Sequence, residues 1–250
     1  MLSIITAELY KLAKRKNFIV LLLLSLWPLV YGLGVALHWD FIQIGAKLDL
    51  ITFMTTMWTF LLILTIPLLQ ILYTSSFVLG GEIQGGQILL EINRGYSRKT
   101  LVISKYIVVV CSILFLYFVN FLTSFITYVL LISNSKYGYH PFWEHHSTNI
   151  QSLTVSLINL IFVIVLSSVA FYLSLRYSAI VSAFITFGIY LLCQLLTYIK
   201  VISIFVPGYF FIVADYKFTT ELVCLHFIEY LSLCILLLYT TIKKFERMGF

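Results

Sequence analysis

Tyr106–Ser133 reads YIVVVCSILFLYFVNFLTSFITYVLLIS, a run without a single Asp, Glu, Lys or Arg. A helix crosses the ~30 Å hydrocarbon core of a bilayer with about 20 apolar residues, so this stretch is long enough to span it. Five more runs of comparable character flank it: 17–37, 52–79, 149–175, 177–199 and 222–242. The last contains His226 and Glu229; the others carry no acidic or basic side chain of the Asp, Glu, Lys or Arg type. Pro67 falls inside the second and predicts a bend there. The fold expected is all-α and membrane-integral, a single transmembrane domain over 1–250 with six spans.

Composition agrees. Hydrophobic residues make up 61% of the 250 and charged residues 10%, with a mean hydropathy of +1.03. Soluble domains carry about 25% charged residues, and a globule this poor in charge could not cover its surface. That excludes a soluble enzyme, a disordered chain and a small disulfide scaffold. Cys111, Cys193, Cys224 and Cys234 all sit in apolar runs without C-x-x-C spacing and read as small core residues.

The net charge of +6 follows from where the basic residues lie rather than from a nucleic-acid surface. With the N-terminus placed inside, Lys11, Lys14, Arg15, Lys16, Arg94, Arg98, Lys99, Lys105, Arg176, Lys243, Lys244 and Arg247 are cytoplasmic. Only Lys47, Lys136, Lys200 and Lys217 are then outside. The positive-inside rule therefore puts both termini in the cytoplasm. The first run is about 20 residues long, beyond the ~7–15 of a signal-peptide core, and is kept as a span.

Four connecting segments carry information. In 2–16, Ile5, Leu9 and Leu12 recur at helical spacing while Glu8, Lys11 and Arg15 fall on another face, joined by Lys14 and Lys16. This is either an amphipathic helix in the headgroup layer or a basic flank that sets topology. Segment 80–105 reads GGEIQGGQILLEINRGYSRKTLVISK. Gly80, Gly81, Gly85 and Gly86 loosen or end helix, and Ile88, Leu89, Leu90 and Ile92 then form an apolar patch among charges. Such a patch docks either on the protein's own cytoplasmic face or on a partner. Gly81 and Gly86 have the spacing of a phosphate-binding loop, but Gln87 and Ile88 stand where its Lys and hydroxyl belong. No nucleotide site is expected in this chain.

The external loop 134–148 holds His140, His145 and His146 beside Glu144, Tyr137, Tyr139 and Trp143. It reads as an interfacial aromatic belt rather than as a metal site. Segment 200–221 is too apolar for a solvated loop, and Pro207-Gly208 would break a re-entrant pair of half-helices there; a loop lying flat on the interface is the alternative. Glu229 and His226 share a face of the sixth span and serve as a gate or substrate path, or as a structural bond between helices.

The basic N-terminal helix, the six spans and the order Glu82, Gly86, Leu89-Leu90, Ser97-Arg98, Lys105 between spans two and three together resemble the type-2 permease family of ABC transporters. Within it, the chain is similar to the short permeases of lantibiotic-immunity and amphipathic-peptide export systems, including phenol-soluble modulin exporters. The resemblance implies that 80–105 is a coupling helix docking on a separate ATPase subunit. It assigns that role to Glu82, Gly86, Leu89, Leu90, Arg94, Ser97, Arg98, Lys99 and Lys105, although Gln87 and Tyr96 replace the family's Thr and Pro. It further implies a second permease copy or paralogue, an amphipathic peptide as substrate, a bacterial plasma membrane, and ATP and Mg bound by the partner only. An ion-coupled secondary transporter, which would rely on His226 and Glu229, and a non-transporting structural subunit are the alternatives. No nucleophile–base or metal constellation of an enzyme is present in the sequence.

Overall fold

The computed structural model describes residues 1–39, 47–133, 135, 137–139, 146–199, 201–212 and 217–248. Among them the architecture is helical, with one isolated bridge between Leu48 and Gly138. Six helical stretches are long and apolar enough to cross a membrane: Lys16–Ala36, Thr65–Gln84, Arg98–Ile132, Thr148–Leu173, Ala179–Thr197 and Thr220–Glu246. The chain is a multi-pass membrane protein. Side chains such as Phe118, Leu130, Phe184, Leu192, Ile228 and Ile235 remain exposed, which suits contact with lipid.

Helix α1 (Leu2–Lys14) ends at Arg15, whose extended backbone separates it from α2 (Lys16–Ser25). The first span is itself interrupted at Leu26 and continues as α3 (Trp27–Ala36). Pro28 has no N–H for the Leu24 carbonyl four residues back, Leu29 N bonds Leu26 instead of Ser25, and the freed Ser25 carbonyl accepts from Asn120 Nδ2 at 3.2 Å.

The second predicted run, 52–79, is not one helix. It divides into α4 (Leu50–Ile63) and α5 (Thr65–Ser76), with Leu64 extended between them. Pro67 explains the place of the break. Its ring would clash with the Ile63 carbonyl four residues back and cannot donate to it, so the ladder stops at Ile63. The membrane-length helix therefore begins at Thr65, and α4 is a separate shorter element capped by Asp49, whose Oδ1 accepts from Thr52 N at 2.8 Å.

Gly80 and Gly81 loosen the helix without ending it. From α5 the chain continues through a π turn, Phe77–Gly81, into α6 (Glu82–Gln84). Gly80 is there for close approach, since a Cβ on it would lie 2.6 Å from Ser174 Cβ. After a turn at Gly86 (φ 70°) comes α7 (Gln87–Asn93). Helix α8 (Arg98–Thr127) then starts eight residues before the predicted span, so 98–105 is its opening two turns; a π turn, Tyr128–Ile132, extends it. At 35 residues this unit is about 52 Å long, well past the hydrocarbon core.

Helices α9 (His146–Leu173), α10 (Ala179–Thr197) and α12 (Thr220–Glu246) complete the bundle. Helix α9 is central, packing against α4, α5, α8, α10 and α12. Between α10 and α12, the expected half-helices are only single turns, Ser203–Phe205 and α11 (Tyr209–Ile212). Pro207 holds Val206 extended and Gly208 adopts φ 94°, so helix propagates on neither side. The Tyr230 hydroxyl accepts from Gly208 N at 2.7 Å and pins this break to α12.

One end of the bundle, here the terminal face, gathers α1, α7, the start of α8 and the last turn of α12. The opposite end, the far face, carries Leu48, Asp49 and the Tyr128 hydroxyl, which donates to the Leu48 carbonyl at 2.9 Å.

Candidate functional site: a buried ionic junction behind an exposed helix

Leu101, Val102, Val108 and Val109 form the core-facing stripe of α8, and Lys105 falls on the same stripe. Its side chain is 0% exposed. A buried ammonium is costly unless it is paired, and Lys105 meets three carboxylates. Its Nζ lies 3.1 Å from Glu8 Oε1 and 3.2 Å from Glu91 Oε2, and bonds Glu82 Oε2 closely.

Two more cations close the arrangement. Lys11 Nζ donates to Glu8 Oε1 at 2.6 Å and Glu91 Oε1 at 2.7 Å, and lies 3.6 Å from Glu82. Arg15 Nη2 donates to Glu82 Oε1 at 2.9 Å, with its guanidinium over the Phe77 ring. Three acids face three bases, so the junction is neutral as a whole. It ties α1 (Glu8, Lys11, Arg15) to α6 and α7 (Glu82, Glu91) and to α8 (Lys105).

Glu8 was expected on the polar face of an interfacial helix. It is instead buried, 2% exposed, on one side of α1 with Ile4 and Leu12, while Leu9 is turned outward. The cause is Lys105: one helix side can be both apolar and acidic when it packs over a buried ammonium. Burial is the largest influence on Glu8 and raises its pKa despite the neighbouring lysines. Burial also opposes charge on Glu91, but Lys11 and Lys105 outweigh it and hold that carboxyl below its ordinary value. Lys11 is likewise opposed by burial, yet Glu8 and Glu91 raise it above the usual lysine range.

Oxygens of Glu8, Glu82 and Glu91 lie within 4.8 Å of one another, as hard-cation ligands would. The Lys105 ammonium already supplies the positive charge at their centre.

Above the junction, α7 has two sides. Ile88 is fully buried and joins the core cluster of Ile4, Leu12, Leu101 and Val102. Leu89 and Leu90 are exposed, Leu90 by 63%, and Arg94, Tyr96 and Lys99 are exposed nearby. The other named residues have internal duties. Ser97 caps α8, its Oγ accepting from Thr100 N at 3.2 Å. Arg98 Nη1 donates to the carbonyls of Glu246 (3.0 Å) and Met248 (2.6 Å), binding the start of α8 to the end of α12. Lys14 and Lys16 are exposed.

Far from this face, His226 is fully buried, stacked on Tyr209 with ring centroids 5.9 Å apart and flanked by Phe210 and Tyr230. Its Nδ1 lies 3.2 Å from Glu229 Oε2, an ion-pair distance without hydrogen-bond alignment. The side chains of His140, Trp143, Glu144, His145 and His146 lie outside the described residues, as does Lys200.

Sequence reasoning named five of the six junction residues as sites, but under two separate roles, and left Glu91 out of them. The chain belongs to the family described as "Protein of unknown function (DUF2705)", whose match spans residues 18–248. No curated protein matches it.

Proposed function

We propose that this chain is the membrane-spanning permease subunit of an ABC exporter, moving an amphipathic or hydrophobic substrate, a peptide foremost, out of the cell or membrane. The terminal face is then cytoplasmic in a bacterial plasma membrane, with both termini inside. The observation that carries this reading is α7: a short helix between two spans, anchored from behind by Ile88 and Glu91, that presents Leu89 and Leu90 outward. Two exposed aliphatics on a firmly held helix suit a partner's groove better than solvent.

In this reading the partner is a separate ATPase subunit, which binds ATP and Mg; a second permease copy or paralogue completes the transporter. Closure of the ATPases pushes on α7, and the junction passes the load to α1 and α8 together. Helix α8 reaches the far face, so movement at one end repacks the other. Such a push needs the ATPase to bind two permease states unequally. The His226–Glu229 pair supports a second reading, ion-coupled transport, in which protons at that pair replace ATP as the driver.

The test is co-expression with the ABC-type ATPase encoded nearest to this chain, followed by purification and ATP hydrolysis in lipid. The two chains co-purify. Leu89→Asp with Leu90→Asp removes the ATPase while the permease keeps its melting temperature, because both side chains are exposed. If no ATPase associates, the exporter reading fails.

A further inference from the structure

In the far half of the bundle, α4, α9 and α11 line an open cavity of about 260 Å³. Its polar wall includes Thr59, Ser152 and Asn159, and its apolar wall Phe60, Phe210 and Phe211. Among the described lining residues none is Asp, Glu, Lys, Arg or His. Asn159 is 1% exposed, and neither its Oδ1 nor its Nδ2 has a hydrogen-bond partner among the described residues.

Its neighbours on α9 are at least partly engaged, although Asn149 Nδ2 also lacks a partner among the described residues. Asn149 Oδ1 accepts from Thr52 Oγ1 at 3.3 Å, and Ser156 Oγ shares a proton with the Tyr117 hydroxyl at 3.1 Å. Asn159 lies on the same side of the helix and lines the cavity, with both ends of its amide unused but covered at the cavity wall. A buried carboxamide offers an acceptor and two donors, and leaving all of them unmet is disfavoured. Thr59 spends its proton on the Thr55 carbonyl at 3.1 Å, so its oxygen adds an acceptor to the wall.

We propose that this cavity binds an uncharged amide group carried on an apolar body, as in a neutral stretch of hydrophobic peptide. A rotation of the covered Asn159 side chain brings a donor and an acceptor together onto the ligand's amide, and the phenyl rings cover the ligand's apolar side chain. A formal charge on the ligand would have no counter-ion here. The volume falls below the ~300–1,000 Å³ of whole small-molecule pockets, so the site takes one residue-sized group rather than a full peptide. As a station on an export path the site rests on the exporter reading; as a binding site it needs no ATPase.

The probe is N-acetyl-photoleucyl-phenylalaninamide, a neutral dipeptide amide with a diazirine, added to the chain alone in lipid nanodiscs. Labelling maps to α4, α9 and α11 and is competed by unlabelled N-acetyl-leucyl-phenylalaninamide. Asn159→Leu weakens that competition at least tenfold, Thr59→Val severalfold, and the free acid of the same dipeptide competes poorly. The melting temperature of Asn159→Leu holds or rises, since two unmet polar atoms are removed. The proposal is overturned if labelling does not saturate, if Asn159→Leu competes like wild type, or if that variant melts lower. Lower melting would show that the amide has a structural partner. Because no ATPase is present, failure here leaves the exporter reading standing, and failure of ATPase association leaves this site standing.

Discussion

At the terminal face, Glu8, Glu82 and Glu91 are buried against Lys11, Arg15 and Lys105, each carboxylate within reach of at least two cations. In the far half, Asn159 is as deeply buried and has no partner among the described residues, and His226 has only a poorly aligned Glu229. Both regions put polar groups where lipid and core leave little water, so the contrast is not one of burial. It is one of charge balance, since Glu91 Oε2 also lacks an aligned hydrogen bond but faces the Lys105 ammonium at 3.2 Å. A matched set of charges holds its elements in one arrangement, because removing any member strands the rest. An unmatched amide or imidazole specifies nothing until something else pairs with it. The first kind of site transmits; the second receives.

The most severe way to break the contrast is Lys105→Met, which leaves Glu8 and Glu82 buried without their shared cation. Thermal and denaturant unfolding in detergent should show a loss of about 3–5 kcal/mol, the usual cost of stripping one partner from a buried pair. A loss under about 1 kcal/mol would mean that the junction is hydrated and not a matched set. Next comes a comparison of two acids. Glu82→Gln should cost about 2–3 kcal/mol, because Arg15 and Lys105 both lose their counter-charge. Glu8→Gln should cost less, since burial already opposes charge on Glu8. Equal costs would contradict the unequal roles assigned to them.

The smallest effect is with pH. The lowered Glu91 contributes stability above its ordinary value of 4.5, and that contribution is lost as pH falls through the lower folded value. The raised Lys11 contributes fully below its ordinary 10.5 and loses this only as pH rises beyond it. Glu8 takes up its proton first on acidification, because its value is raised. Melting temperature should therefore fall as pH drops below about 4.5, where Glu91 loses its contribution, while the raised Glu8 favours the fold as it takes up its proton. A titration centred near neutral pH would contradict this assignment.

Much of the architecture was legible because a long apolar run without charge is stable in few settings besides a bilayer. Four of the six predicted spans, 17–37, 149–175, 177–199 and 222–242, keep their place within a few residues as membrane-length helices. What was misplaced turns on single residues. Pro67 was read as bending one helix, yet the consequence of a missing donor falls four residues upstream and splits the span at Leu64. Pro28 also marks an interruption of the first span, at Leu26 two residues upstream. The junction was legible only in part. Lys105 sits at helical spacing from Leu101, Val102, Val108 and Val109, which marks a lysine forced into the core. Glu8 and Glu82 reach it from segments more than twenty residues away, and no local pattern pairs them with it. The cavity had a similar clue: Asn149, Ser152, Ser156 and Asn159 form a polar stripe along an otherwise apolar span. Which member of that stripe lacks a partner depends on α4 and α8, and so could not be read from α9 alone.

If the junction makes α1, α7 and the start of α8 a single unit, its loss must loosen them together. Hydrogen exchange on the nanodisc-embedded chain, wild type against Lys105→Met, tests this directly. Lys105 touches an acid from each of α1, α6 and α7, so its removal should raise exchange in Leu2–Lys14 and Gln87–Asn93 together while α4 and α9 keep their protection. If α1 loosens while α7 stays protected, or neither changes, the junction does not couple them and the proposed path of force from α7 to the bundle is wrong.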